Sequence, residues 1–232
     1  MNLDEKVTEK MVLNLDVGGL DDAIKLIKQV GDYFSYVKVG SELFAQAGPD
    51  SIAAIRDLGK KVFLDLKVHD IPNTVGRALE VHATRGISMT TVHASGGLEM
   101  LKAARKGLDD GAARAGFEPP ILLAITVLTS LPPDQQAFDE RLSLIEQAKC
   151  DLVCSALEVS YVAEKVPTAK MLVPGIRLSG QDRGDQTRVA TPFEAIRDGA
   201  TWIALGRAVY AADDPIASAQ QCYDEVEKAL NS

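Results

Sequence analysis

Asp65, Lys67 and Asp70 end a short apolar run, Val62-Phe63-Leu64, and crowd three charges into six residues. Burying charge there is costly unless the groups pair and hydrogen-bond. Side chains alternate faces along a strand, so Asp65 and Lys67 share one face while Leu64 and Leu66 share the other. A carboxylate and an ammonium on one face at a strand's end make a catalytic arrangement, with a structural ion pair as the plainer alternative. Lys38 extends the set to two positive and two negative charges. Because buried ion pairs stabilise weakly, the set of four favours chemistry over architecture.

A second group suits phosphate. Pro174-Gly175-Ile176-Arg177 and Gly206-Arg207 each place an arginine beside a glycine. Glycine lets backbone N–H groups approach an anion, and guanidinium offers forked donors. Other chemistries lack support. Ser95 and Ser130 have no evident His partner, so a Ser-His-Asp triad is not expected. Cys150, Cys154 and Cys222 are too few and odd in number for a disulfide framework. Cys150 and Cys154 have the wrong spacing for a redox pair, so they read as small core residues. His93 reads as a packed, hydrogen-bonded residue, and His69 and His82 as structural or exposed. Trp202 and the methionines read as core.

The elements that must position these residues recur along the chain. Short apolar, β-branched runs mark strands at Met11–Asp16, Tyr36–Ser41, Val62–Lys67, Met89–Ala94, Ile121–Leu128, Asp151–Ala156, Met171–Ile176 and Trp202–Arg207. Helical patterns lie between them. The first carries Leu20, Ala23, Ile24, Ile27 and Val30 on one stripe. The others span Pro49–Leu58, Thr74–Arg85, Leu98–Gly107, Phe138–Gln147, Val159–Val166, Thr191–Asp198 and Pro215–Leu230. Asp50 or Pro49 can open the second and Gly59 can close it, and Thr191 can cap ahead of Pro192. Gly107–Pro120, Thr129–Gln136 and Arg177–Arg188 read as loops, the last suited to a mobile lid. Alternating strands and helices in 232 residues predict an α/β fold, a (β/α)8 TIM barrel forming a single domain over residues 1–232. A doubly wound sheet is the rival, but Val17-Gly18-Gly19 does not continue as Gly-x-Gly-x-x-Gly. In such a barrel the active site lies at the strands' C-terminal ends, where Asp16, Lys38, Asp65, Lys67, His93, Arg177 and Arg207 all fall.

Composition agrees: 46% apolar and 25% charged residues suit a soluble globular domain. A net charge of -8 makes nucleic acid and anionic membrane poor prospects as partners, and neither is expected. An anionic substrate must then be held by a local cationic pocket. The charged N-terminus predicts no signal peptide, and no apolar run is long enough to span a bilayer, so a cytoplasmic location is expected.

Asp65-Leu-Lys-Val-His-Asp-Ile-Pro-Asn-Thr74 resembles the D-x-K-x-x-D-I-P-x-T pattern of the orotidine 5′-monophosphate decarboxylase family. Asp16, Lys38-Val-Gly40, Val92-His-Ala-Ser-Gly-Gly97, Val127-Leu-Thr-Ser130, Pro174-Gly-Ile-Arg177, Gly184-Asp-Gln186 and Gly206-Arg207 follow in that family's order. Related 3-keto-L-gulonate 6-phosphate decarboxylases and hexulose 6-phosphate synthases share the D-x-K-x-x-D triplet but resemble this chain less. Asn14, ahead of Asp16, is less usual than a small apolar residue.

The resemblance implies decarboxylation of orotidine 5′-monophosphate to uridine 5′-monophosphate, in pyrimidine biosynthesis, without metal or organic cofactor. A magnesium-dependent sugar-phosphate decarboxylase or aldolase is the alternative. The resemblance makes Lys67 the general acid at C6 and sets Asp65 against the departing carboxylate. Asp70 of the partner subunit would complete the array in a homodimer with shared sites, and Ile71 and Thr74 would cross with it. Asp16 and Lys38 would hold ribose hydroxyls, and Thr129 and Ser130 the pyrimidine edge. Arg177, Gln186 and Arg207 would hold the phosphate, beside Pro174 and Gly206.

Overall fold

The computed structural model describes residues 3–128, 134–179 and 189–232. Eight parallel strands pair in sequence order and β8 closes onto β1. They are β1 (Met11–Asn14), β2 (Tyr36–Gly40), β3 (Lys61–Val68), β4 (Met89–His93), β5 (Ile121–Ile125), β6 (Asp151–Val153), β7 (Met171–Val173) and β8 (Trp202–Leu205). The helices are α1 (Glu5–Thr8), α2 (Leu20–Val30), α3 (Ser41–Ala47), α4 (Pro49–Asp57), α5 (Pro72–Ala83), α6 (Leu98–Ala115), α7 (Gln135–Ala148), α8 (Val159–Lys165), α9 (Pro192–Arg197), α10 (Arg207–Tyr210) and α11 (Pro215–Leu230).

Period-two alternation builds two apolar layers from the same strands. Leu13, Val37, Leu64 and Ile203 belong to the layer between barrel and helices. Val12, Tyr36, Phe63, Met89, Leu172 and Trp202 form a separate cluster. Alternation puts that cluster inside the barrel, where it fills the centre as a packed core. Each such buried side chain contributes about 1.5–3 kcal/mol of transfer free energy. Two strand residues further on, the same inward rows turn polar, at Asn14, Lys38, Asp65 and Thr91. The apolar plug is therefore also the floor on which the polar mouth stands.

Seven of the eight strands start where the apolar runs do but end one to three residues earlier than expected, whereas β3 starts one residue earlier and ends one residue later. Asp16, expected to close β1, lies beyond it. The chain leaves the ladder at the mouth because these polar residues face the cleft and their backbone turns toward the next helix.

The largest correction concerns Gly107–Pro120, expected as a loop. Instead α6 continues through Gly107 and Gly111 to Ala115. The physical reason is packing against α5. A Cβ on Gly107 would lie 2.1 Å from the carbonyl oxygen of Gly76, and one on Gly111 2.1 Å from that of Glu80. Glycine weakens an isolated helix, yet here it permits a backbone-to-backbone approach that offsets that loss. Gln135 and Gln136, also expected in a loop, open α7 behind the Asp134 cap. The Thr191 cap is as expected, in a capping box with Glu194 and with Pro192 in the first turn. α1, α3 and α10 are short and have no counterpart among the expected helices, and Arg207, expected to end β8, opens α10 instead.

Candidate active site

The inward rows end in a cavity of about 220 Å³ at the C-terminal mouth, lined by Asn14, Lys38, Phe63, Asp65, Lys67, Cys154 and Pro174 among others. The described charges there form a chain. Lys38 Nζ lies 3.0 Å from Asp16 Oδ1 and 3.7 Å from Asp65 Oδ2. Lys67 Nζ lies 2.6 Å from the same Asp65 oxygen. The order is therefore Asp16, Lys38, Asp65, Lys67, alternating in sign. The inner pair is buried, with side chains 10% and 9% exposed, while Asp16 and Lys67 at the ends are about 40% exposed. Burial pushes the Asp65 carboxyl up, but the Lys67 and Lys38 ammoniums, with hydrogen bonds from Lys67 and Thr91, outweigh it and hold the group below the ordinary carboxylate value. Asp65 is thus ionised at neutral pH.

Simple alternation places Asp65 inward, but Lys67 arrives differently from the expected regular strand. The β3–β4 register shifts between Leu64 and Val68, and Lys67 has φ 51°. A β-bulge with a non-glycine residue in the left-handed region turns the lysine back over its own carboxylate. Thr91 on β4 braces this turn. Its hydroxyl donates to Asp65 Oδ1 at 2.8 Å and accepts from the Lys67 N–H at 3.0 Å.

Gly40 opposes Asp65 in the β2–β3 register. A Cβ there would lie 2.8 Å from Lys38 Nζ and 3.2 Å from Asp16 Oδ1. The glycine keeps open the space that the ion pair occupies.

Pro174 and Gly206 continue the inward rows of β7 and β8. Gly175 has φ 78°, a conformation that glycine adopts without strain. Arg177 is buried and its Nη1 donates to the Ile176 carbonyl at 2.8 Å. Arg207 opens α10 behind Gly206. Tyr210 ties this side to the array. Burial and the Asp16 carboxylate push its phenol up, while Arg207, Arg177 and Lys38 act oppositely. Asp16, Lys38, Arg177 and Arg207 therefore share one electrostatic neighbourhood.

The profile of the Orotidine 5'-phosphate decarboxylase / HUMPS family matches residues 9–222. The chain belongs to that family. It is 38% identical to an orotidine 5'-phosphate decarboxylase of Moorella thermoacetica, over 94% of this chain and 92% of that one. It is 47% identical to one from Streptococcus pyogenes serotype M3, over 80% of this chain and 83% of the relative. Among solved structures, the orotidine 5'-phosphate decarboxylase of Lactobacillus acidophilus superposes with a TM-score of 0.79 at 37% identity, covering 94% of this chain and 99% of that one.

The barrel brings Asp16, Lys38, Asp65 and Lys67 together, and it leaves Asp70, Ile71 and Thr74 on the surface. Asp70 makes no ion pair among the described residues; its Oδ1 accepts from the Ile71 N–H at 2.6 Å. Thr129, Ser130 and Gln186 lie outside the described residues. His93 is half-buried and stacks against His69 with ring centroids 5.5 Å apart. Burial lowers its pKa, and the neighbouring His69, Lys67 and Arg141 lower it further, against Asp65. All three cysteines are buried and free, which fits the core reading of Cys150 and Cys154. Cys154, however, also borders the cavity. Thr91, Gly40 and Tyr210 were missed as site residues. Thr91 and Tyr210 belong to no motif, and Gly40 has no side chain to carry chemistry, so only the folded surroundings give them a role.

Proposed function

We propose that the charge array is the decarboxylation site for orotidine 5′-monophosphate, which this carboxy-lyase converts to uridine 5′-monophosphate and CO2 in pyrimidine biosynthesis. The observation that carries the assignment is the Asp16–Lys38–Asp65–Lys67 chain at the barrel mouth, in a chain whose relatives are named orotidine 5'-phosphate decarboxylases. Lys67 is the general acid. When the C6–carboxylate bond breaks, its electron pair stays on C6 in the ring plane and takes up a proton from the Lys67 ammonium. Asp65 faces the departing carboxylate. Asp16 and Lys38 hold ribose hydroxyls, and Thr129 and Ser130 the pyrimidine edge. Arg177, Gln186 and Arg207 hold the phosphate, with Pro174 and Gly206 shaping the approach.

An ammonium about 3 Å from a carbanion, at an effective dielectric near 20, stabilises it by roughly 5 kcal/mol. Enzymes commonly lower barriers by about 8–23 kcal/mol. Lys67 alone falls short. Repulsion between Asp65 and the substrate carboxylate adds to it. Phosphate and ribose contacts, remote from C6, supply the binding energy that holds the substrate in that arrangement. The working enzyme is a cytoplasmic homodimer, in which Asp70, Ile71 and Thr74 of each chain reach the other's mouth. Their exposure supports this reading: Ile71 is 65% exposed although it is apolar.

The test is the absorbance of orotidine 5′-monophosphate mixed with purified protein and EDTA. Rapid loss is expected. A folded protein that leaves the absorbance unchanged, yet acts on sugar phosphates with added magnesium, overturns the assignment.

A further inference from the structure

We infer that Thr91 is a positioning residue for the decarboxylation, its hydroxyl setting both the Asp65 carboxylate and the Lys67 backbone turn. This rests on the roles proposed above for Asp65 and Lys67. Thr91 is buried, on the inward row of β4. In a regular parallel ladder the Lys67 N–H would bond to a neighbouring backbone carbonyl. The bulge takes it out of register, and the Thr91 hydroxyl accepts that N–H at 3.0 Å instead. The same hydroxyl then has one proton to give, and it gives it to Asp65 Oδ1 at 2.8 Å. The two bonds fix each other. A hydroxyl that accepts from Lys67 must point its proton elsewhere, and the carboxylate takes it.

The consequence lies on the other carboxylate oxygen. With Oδ1 held by Thr91, Oδ2 faces Lys67 Nζ at 2.6 Å and Lys38 Nζ at 3.7 Å. Without the hydroxyl, the carboxylate can rotate and the left-handed turn at Lys67 loses its brace. Both ends of the proton-delivery pair then drift, although neither residue has changed. Thr90, next along β4, is an internal control. It is equally buried, but its hydroxyl donates to the Leu64 carbonyl at 2.9 Å and touches neither charge.

The experiment compares kcat and KM for orotidine 5′-monophosphate, and uridine 5′-monophosphate affinity, across Thr91→Val, Thr91→Ser, Thr90→Val and Lys67→Ala. Valine keeps the β-branched shape and removes the hydroxyl. The expected result is a fall in kcat of about 10- to 100-fold for Thr91→Val, the range of one hydrogen bond to a charged group. Product affinity stays unchanged, Thr91→Ser recovers most of the rate, and Thr90→Val keeps its kcat. Wild-type kcat in Thr91→Val overturns the inference, as does an equal loss in Thr90→Val or a serine variant as slow as valine. If Thr91→Val does not fold, Thr91→Ala against Thr91→Ser reads the same hydroxyl, and equal rates in those two overturn it. Should Lys67→Ala itself turn over normally, the proposed roles fail instead.

Discussion

Asp65 is a carboxylate under the barrel mouth, 7% exposed, that stays ionised because two ammoniums and a hydroxyl face it. Its folded pKa lies below its unfolded one, so its contribution to stability is present above the unfolded value and lost as pH falls through the folded value. The difference in Tm between wild type and Asp65→Asn is therefore expected to be largest near neutrality and to shrink in acid. A difference that grows on acidification refutes this sign. Lys67→Ala is expected to lose nearly all turnover while still binding uridine 5′-monophosphate; near-normal kcat would remove it as the acid. Gly40 gives a sharper contrast between stability and activity. The atoms an alanine Cβ would strike are the ends of the Lys38 and Asp16 side chains, which can swing away. Gly40→Ala is therefore expected to leave Tm nearly unchanged and to lower kcat/KM at least about tenfold, one broken charge contact. A large fall in Tm with normal kinetics would contradict it.

At the scale of elements, the α5–α6 contact has no such slack. Gly107 and Gly111 meet backbone carbonyls, not flexible side-chain ends. Gly107→Ala must push two helices apart and is expected to cost about 1–3 kcal/mol or more, the range of overpacked cores. Thermal denaturation measures it, and an unchanged Tm would show that the helices part freely. α5 follows directly from Asp70 and Ile71, so a shift in α5 also moves the surface residues assigned to the partner's site. β3 carries the opposite case, a strained turn retained at the site. Lys67 at φ 51° sits where L residues are disfavoured, and strain of this kind survives only where its surroundings impose it. The β4 hydroxyl at Thr91 is that imposition.

At the scale of the molecule, the barrel assembles charges from several strands at one mouth and leaves one predicted charge outside. Asp70 and Ile71 stand exposed at that rim. Mixing Lys67→Ala with Asp70→Ala chains is expected to restore activity, because in the proposed homodimer one of the two shared sites of a heterodimer keeps both native residues. No recovery after verified subunit exchange would refute shared sites. Among the described residues, no helix is long and apolar enough to cross a membrane.

The strand–helix alternation, the inward apolar rows and the spacing of Asp65, Lys67 and Asp70 were legible in the chain, because periodicity and local charge are written residue by residue. So was the Thr191 cap, which needs only its neighbours. The extension of α6 through Gly107 was not, since glycine reads as a helix breaker until α5 lies against it. Nor was the turn at Lys67, where alternation correctly gave the face but not the bulge. Thr91 and Gly40 became site residues only when the β4 and β2 registers set them opposite β3. Local sequence singled out the side chains to which the chemistry is proposed to belong; the closed barrel alone decided which of their oxygens and nitrogens meet, because contacts across strands depend on register and on the space a neighbour leaves.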